Sequence, residues 1–492
     1  MTAISEDANM HRPPAPVSAI GRASPALIPL AVGGTLYLVM LVVGDSLLND
    51  ADSYWHIVVG RWMVDHRAFP TADPFSFTFA GAPWIAKEWL SQILYAGAEA
   101  LAGWPGMVAL AAASVAFAFA LLARFLVNHL RPPYAILVAA IAFLLAAPHV
   151  TARPHALAFP VMVAFVAGLV RAADQRRAPS LWLLPLMVLW ANLHGGFTFG
   201  IMMVAALGLD AFVSAPSERR ARTALQWASF GLLSLAAGCI TPYGWQPMLM
   251  TARILGLGPA LSIIGEWRPA DFSHLGGLEI ILLAGLGAAL WRGVTLPPVR
   301  ILILLGLAHM ALSAERNGEI FGLIAPLVVA GPLAAQFAYL RAAPRAKAGL
   351  GVLAGAVAMA VVVLVPATIA LSASLHYAPN LRITPAAAVA ALKAADPGPV
   401  LNQYDFGGYL VYEGVPTFID GRTELFGGAF FARYVNAVTL ADIAGLDGLL
   451  DEYGIAATLF APSTPAVAYL DRLPGWHRLY ADDIAVVHVR GP

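Results

Sequence analysis

Cysteine is almost absent from this chain: Cys239 is the single one in 492 residues. No disulfide can close within it, so any exported part must hold together by packing alone. Charge is scarce as well, at 12% of residues, and its signs balance, with 29 basic against 29 acidic side chains. That balance argues against a nucleic-acid partner, which would call for a basic face. Internal repeats are missing, and so is low-complexity sequence beyond alanine-rich stretches. No small-residue cleavage site follows the first apolar run, which therefore reads as a retained anchor. What fills the chain instead is apolar: 59% of residues are hydrophobic, the composition of an integral membrane protein.

Residues 27 to 46 form a run long enough to cross a hydrocarbon core of roughly 30 Å. Ten more follow, near 105–127, 134–148, 155–170, 180–193, 196–213, 224–240, 277–291, 300–314, 319–338 and 348–373. The expected fold is a polytopic α-helical membrane protein of about 11 transmembrane helices, some short, tilted or broken by Pro and Gly. Arginines orient it through the positive-inside bias. Arg12 and Arg22 precede the first run, and every second connection is then basic: Arg124 and Arg131; Arg171, Arg176 and Arg177; Arg219, Arg220 and Arg222; Arg292 and Arg300; Arg341, Arg345 and Lys347. The N-terminus is thus expected in the cytoplasm. The other connections, and the tail beyond an odd number of spans, are expected outside.

Three parts follow. Residues 1–26, with Pro13, Pro14 and Pro16, read as a disordered cytoplasmic lead. Residues 27–374 form the transmembrane domain, with a long outer loop over 47–104. Residues 375–492 are denser in charge and alternate strand-like and helix-like segments, which predicts a small extracytoplasmic α/β domain. In the outer loop, SYWHIVVGRWMVDH has helical spacing suited to the membrane interface, and WLSQILYAGAEALAG reads as a second interfacial or re-entrant helix. Trp55, Trp62, Trp84 and Trp89 are expected as membrane anchors. In the tail, PVLNQYD, GGYLVYEG, PTFIDGR, IAATLFAP and IAVVHVR read as strands. Thr384-Pro385 reads as a capped helix start.

The candidate chemistry begins with Asp50-Ala-Asp52-Ser-Tyr54-Trp55-His56 just after the first run. A carboxylate at the edge of a low-dielectric bundle is costly unless it is paired or used. The same face carries Lys87 and Glu88, Arg153 and His155, Asn192 and His194, Glu266 and Arg268, and Arg316 with its neighbours Glu315 and Asn317. In the tail, Tyr404-Asp405-Phe406-Gly407-Gly408 and Asp420-Gly421-Arg422 stand out. The acidic residue after the first span, followed by an aromatic and a histidine on an interfacial helix, resembles the first outer loop of GT-C glycosyltransferases. Protein mannosyltransferases, aminoarabinose transferases and oligosaccharyltransferases belong to that superfamily. The stretches from Asp73 to Gln92 and from Asn402 to Gly427 are similar to uncharacterised bacterial members.

The resemblance implies a glycosyltransferase of the bacterial inner membrane that moves a sugar from a polyprenyl-phosphate donor to an envelope lipid, glycan or protein, with inversion. Asp52 would act as general base and Glu88 as second acid or metal ligand. Substrate would be bound by Asp50, His56, Lys87, Arg153, His155, Asn192, His194, Glu266, Arg268, Arg316, Tyr404, Asp405 and Arg422. Some relatives hold a divalent cation beside the donor phosphate and others do not. Asp52, His56, Glu88, His155 and His194 offer ligand types for Mg or Mn, but no close spacing such as H-E-x-x-H accompanies them. Each residue also has a structural reading. Asp52 can pair with Arg61 or cap its helix, Glu88 can pair with Lys87, Arg268 with Glu266, and Arg316 with Glu315 or Glu319. The histidines can be core residues, and the two tail motifs can be turns. Alternative functions are a lipid-linked glycan ligase, a flippase or transporter, and a non-catalytic envelope assembly protein.

Overall fold

Helices account for most of the chain, and their starts are written into the sequence. Pro132, Pro154 and Pro298 each open a helix, at the one position where a missing N–H costs nothing. The computed structural model describes residues 27–256, 265–343 and 350–491. The expected lead 1–26 lies outside the described residues, as do Arg345 and Lys347. Among those described, five helices are long and apolar enough to cross a membrane: Trp89–Val127, Pro132–His149, Pro154–Asp174, Glu315–Gln336 and Gly351–Ser374. Ile28–Val42, Leu183–Leu193, Phe197–Val213 and Pro298–Ser313 are apolar but shorter.

The helix Pro154–Asp174 is the hub of the bundle, buried along nearly its whole length. Trp89–Val127 is broken at Ala102 and at Gly103, whose φ of 62° and ψ of −149° suit glycine. The segment read as a short interfacial helix is therefore a separate arm, folded against the span that follows it. At the end of the bundle remote from residue 50, Arg300 is buried and donates to Asp210 at 3.0 Å, to Asp174, and to the Val328 carbonyl at 3.1 Å. Arg300, expected as a basic residue of a connection between spans, is enclosed within the bundle. A guanidinium can be buried when carboxylates and carbonyls take up its donors.

The tail builds a four-stranded sheet in the order β1-β2-β4-β3. β1 (Val400–Asn402) runs parallel to β2 (Ala457–Phe460), and β4 (Val486–Arg490) pairs antiparallel with both β2 and β3 (Trp476–Ala481). Three of the five expected strands are present. GGYLVYEG is a helix over Gly407–Tyr412, because its two glycines let the backbone press on Ile419, Asp420 and Ala51 where a Cβ would clash. PTFIDGR forms only a bridge, Thr417 to Ser76, which ties the tail to the loop between the helices Asp52–His66 and Trp89–Val127. The helix expected to be capped by Thr384 starts at Ala386 without a side-chain cap. The Thr384 hydroxyl instead meets the Tyr54 hydroxyl at 2.7 Å and donates to the Asn380 carbonyl at 2.9 Å.

That bridge is part of a larger seam. The N–H of Phe77 donates to the Thr417 carbonyl at 3.1 Å, that of Thr417 to the Phe75 carbonyl at 3.2 Å, and the Thr78 hydroxyl to the Phe418 carbonyl at 2.7 Å. At its centre the fully buried Arg422 forks onto Asp420 at 2.8 and 2.7 Å, donates to Asp73 at 2.5 Å, and stacks over Phe75 and Trp84. This corrects the reading of three of the four loop tryptophans, Trp55, Trp84 and Trp89. Trp84 and Trp55 are 2% and 4% exposed, and the indole of Trp89 donates to Asn192 at 2.6 Å. The loop packs between bundle and tail, so these rings meet protein rather than lipid headgroups.

Candidate active site

Asp50 and Asp52 sit where the chain leaves the first apolar helix and enters the helix Asp52–His66. Asp50 accepts the N–H of Asp52 at 2.9 Å, so the pair is fixed by a local turn. Both carboxylates face Arg153, which precedes Pro154. A proline pushes the residue before it into extended backbone, and Arg153 adopts φ −122°, ψ 165°. Its side chain thus stays out of the helix and reaches across. Arg153 Nη1 donates to Asp50 at 3.0 Å and Nη2 to Asp52 at 2.6 Å. The other Asp52 oxygen accepts the indole N–H of Trp55 at 2.9 Å. Neither structural alternative for Asp52 is used: Arg61 pairs with Glu99 at 2.5 Å, and Asp52 is the first residue of the helix, its N–H held by Asp50, rather than its cap.

A second cluster surrounds Glu88, at the start of the helix Trp89–Val127. His194 Nε2 lies 3.4 Å from one carboxylate oxygen and His56 Nε2 3.9 Å from the other. His194 Nδ1 accepts the Gly196 N–H at 3.1 Å, so the neutral ring carries its proton on Nε2 and presents an N–H to Glu88. Burial lowers His56 well below the usual imidazole range and lowers His194 to about 4, against the pull of Glu88. Burial would raise Glu88, but Lys87 foremost, with the histidines and Arg153, brings it down to about 2. Since both rings are neutral at pH 7, Lys87 is the adjacent charge that keeps Glu88 ionised there. Lys87 is raised in turn: burial opposes its charge, and Glu424 and Glu88 outweigh it. Its ammonium bonds Glu424 at 2.7 Å rather than Glu88.

These groups line one cavity of about 550 Å³, together with Asp405, Tyr404, Thr423, Glu424, Arg316 and Glu319. The tail forms one wall. The Tyr404 and Thr423 hydroxyls are 3.1 Å apart, and burial and the nearby Asp50 push the Asp405 carboxyl upward. Gly421 packs against Asp52 so closely that a Cβ would lie 1.8 Å from Asp52 Oδ1. Arg316 stacks over Trp267, its guanidinium carbon 4.9 Å from the ring centre.

Of the residues singled out from sequence, Asp50, Asp52, His56, Lys87, Glu88, Arg153, His194, Arg316, Tyr404 and Asp405 line the cavity. His155 stands outside the lining, its Nε2 3.7 Å from Glu319 Oε2. Asn192 is spent on Trp89, Val188 and Ile240, Arg268 is exposed and not among the residues that line the cavity, and Arg422 belongs to the loop–tail seam. The Glu266 side chain lies outside the described residues. Glu319, Glu424 and Thr423 were missed. In the sequence Glu319 reads only as a helix-end partner of Arg316, and Glu424 follows Asp420-Gly421-Arg422 with nothing to distinguish it from a solvated helical glutamate.

The donor set does not fit a divalent ion. Among the described residues no three His, Cys, Asp or Glu side chains converge as ligands. His194 turns an N–H rather than a lone pair toward Glu88. Between Asp50 and Asp52 stands a guanidinium, and a divalent ion about 4 Å from it would meet a repulsion of roughly 8 kcal/mol at the effective permittivity of a partly buried site.

No protein-family model and no curated protein matches the sequence. Solved structures do. The archaeal oligosaccharyltransferase AglB from Archaeoglobus fulgidus, in complex with an inhibitory peptide and a dolichol-phosphate, superposes with a TM-score of 0.53 and 12% identity, over 89% of this chain and 69% of AglB. ArnT from Cupriavidus metallidurans in the apo state gives 0.50 and 15%, over 95% of this chain and all of ArnT. The chain described here shares the fold of these proteins, as expected from its resemblance to GT-C glycosyltransferases.

Proposed function

We propose that this protein is a membrane glycosyltransferase that moves a sugar from a polyprenyl-phosphate-linked donor to an acceptor in the cell envelope, with inversion at the anomeric carbon. In this reading about eleven spans place the N-terminus in the cytoplasm and residues 375–492 on the extracytoplasmic side of a bacterial inner membrane, where the tail covers the cavity. The observation that carries it is the meeting of Asp50, Asp52 and Glu88 with Arg153, Lys87 and Arg316 in a single cavity at one end of the bundle. Acid–base groups and phosphate-binding cations are the two things a transfer from a lipid phosphate needs. AglB with its bound dolichol-phosphate supports a lipid carrier. The enclosed cluster of Arg300, Asp174 and Asp210 at the other end supports chemistry at one face over passage through the bundle.

Asp52 takes the proton of the acceptor hydroxyl as that oxygen attacks the anomeric carbon. Arg316 and Lys87 receive the leaving phosphate, the guanidinium as a planar fork and the ammonium as a point charge. Glu88, ionised and flanked by two neutral imidazole rings, orients acceptor hydroxyls rather than supplying a proton. A tail that closes the cavity limits hydrolysis of the donor.

The test is mass spectrometry of envelope glycans and polyprenyl-linked sugars in cells with wild-type protein, no protein, or Asp52→Asn. Loss of a general base costs about 10²- to 10⁴-fold, so the same sugar should vanish from its acceptor in both altered strains while its lipid donor accumulates. Full transfer by Asp52→Asn at normal expression overturns the base assignment.

A further inference from the structure

The two carboxylates of the Asp50-Ala-Asp52 motif do not face open space, because one side chain reaches both. Arg153 places Nη1 on Asp50 at 3.0 Å and Nη2 on Asp52 at 2.6 Å. The backbone on each side is preset for that contact. The N–H of Ala152 donates to the Leu47 carbonyl at 2.7 Å, the Ser53 hydroxyl donates to the Ala152 carbonyl at 3.2 Å, and the Tyr95 hydroxyl donates to the Arg153 carbonyl at 3.0 Å. Asp52 is further held by Trp55 and wedged by Gly421. The arginine is thus built into the acidic pair by two segments about a hundred residues apart in sequence.

We infer that Arg153 is the resident cation of the Asp50–Asp52 pair, seated where a divalent ion would otherwise bind, and that the protein works without one. The catalytic meaning of this rests on the transferase reading; its test does not.

A single guanidinium can serve two anions in turn. Before reaction it balances Asp52. As the acceptor oxygen attacks, its proton passes to Asp52, the new bond to the anomeric carbon forms, the bond from that carbon to the phosphate oxygen breaks, and its electron pair leaves with the phosphate. Asp52 is then neutral and holds Nη2 less strongly, so the same N–H is released toward the phosphate as the phosphate gains charge. The negative charge around Arg153 changes owner but not amount. A guanidinium is suited to this exchange, since its fork matches carboxylate and phosphate oxygens alike and it stays protonated throughout.

The experiment measures Mn²⁺ binding to the purified full-length protein in detergent by electron paramagnetic resonance, with wild type, Asp52→Asn, Arg153→Met and the Arg153→Met/Asp52→Asn double variant. Removing the cation strands two carboxylates, so Arg153→Met should gain one Mn²⁺ per chain, held at least about tenfold more tightly than by wild type. The double variant should lose it again. Wild-type protein that already binds one Mn²⁺, lost in Asp52→Asn, overturns the inference, and so does a folded Arg153→Met that gains none. If Arg153→Met fails to fold, the comparison of wild type with Asp52→Asn decides alone. A protein that transfers no sugar leaves these readings intact, so failure of the functional proposal and failure of this one are separable.

Discussion

Replacing Arg422 with methionine probes the seam that joins the tail to the loop around Asp73. The guanidinium is fully buried and carries three side-chain contacts with two carboxylates that are themselves buried, Asp73 and Asp420. Methionine can fill much of the space over Phe75 and Trp84, so the dominant loss is electrostatic. Asp73 would keep the N–H groups of Phe75 and Ser76, and Asp420 would keep the Thr417 hydroxyl at 2.9 Å and the backbone N–H of residue 422. Neither would keep a counter-charge. Breaking a buried pair from one side typically costs about 3–5 kcal/mol. Denaturation of the full-length protein in detergent, followed through the fluorescence of its buried indoles, should show a loss of that size, with new proteolytic cleavage between residues 67 and 88. Adding Asp73→Asn and Asp420→Asn should then recover most of the loss, because the stranded charges are gone. An unchanged midpoint in Arg422→Met, or a triple variant no more stable than the single one, refutes the argument.

Two further outcomes are expected. Because His194 titrates at about 4 when folded and near 6.5 when unfolded, the unfolded chain takes up the proton first as pH falls. Stability should therefore decline between pH 6.5 and about 4 by up to about 3 kcal/mol, at 1.36 kcal/mol for each pH unit. His194→Gln should flatten that slope in a pH series of unfolding curves, and an unchanged slope would show the ring to be solvated. Gly421→Ala should leave expression near normal yet lower sugar transfer by about 100-fold, since the added methyl displaces the Asp52 carboxylate and misplacements near 1 Å cost about that much. Transfer at the wild-type rate would mean that Asp52 need not hold its place.

The distribution of charge made the bundle readable. Asp52, Arg153, His194 and Arg316 lie on separate segments, yet each sits on the acidic side of the arginine alternation, and each lines the cavity. What stayed hidden depended on contacts between distant segments. Nothing in a tryptophan-rich loop says whether its rings meet headgroups or another part of the protein, and here the tail covers Trp84. Alternating residues in GGYLVYEG suggested a strand, but the sharp approach to Ala51 and Ile419 requires glycines and a helix. Glu424 could be placed only once the turn at Gly421 was seen to press on Asp52.

That close approach bears on how the protein is made. Asp52 emerges from the ribosome early and Gly421 some 370 residues later, yet the two are packed atom against atom. Contacts so distant in sequence carry a large loop-closure cost and form late. Throughout synthesis of the helices that precede the tail, the acidic motif lacks the wall that Tyr404, Asp405, Gly421 and Thr423 later supply. The cavity is closed by the tail only when most of the chain has been translated, so on the transferase reading an unfinished copy would not yet turn over a donor.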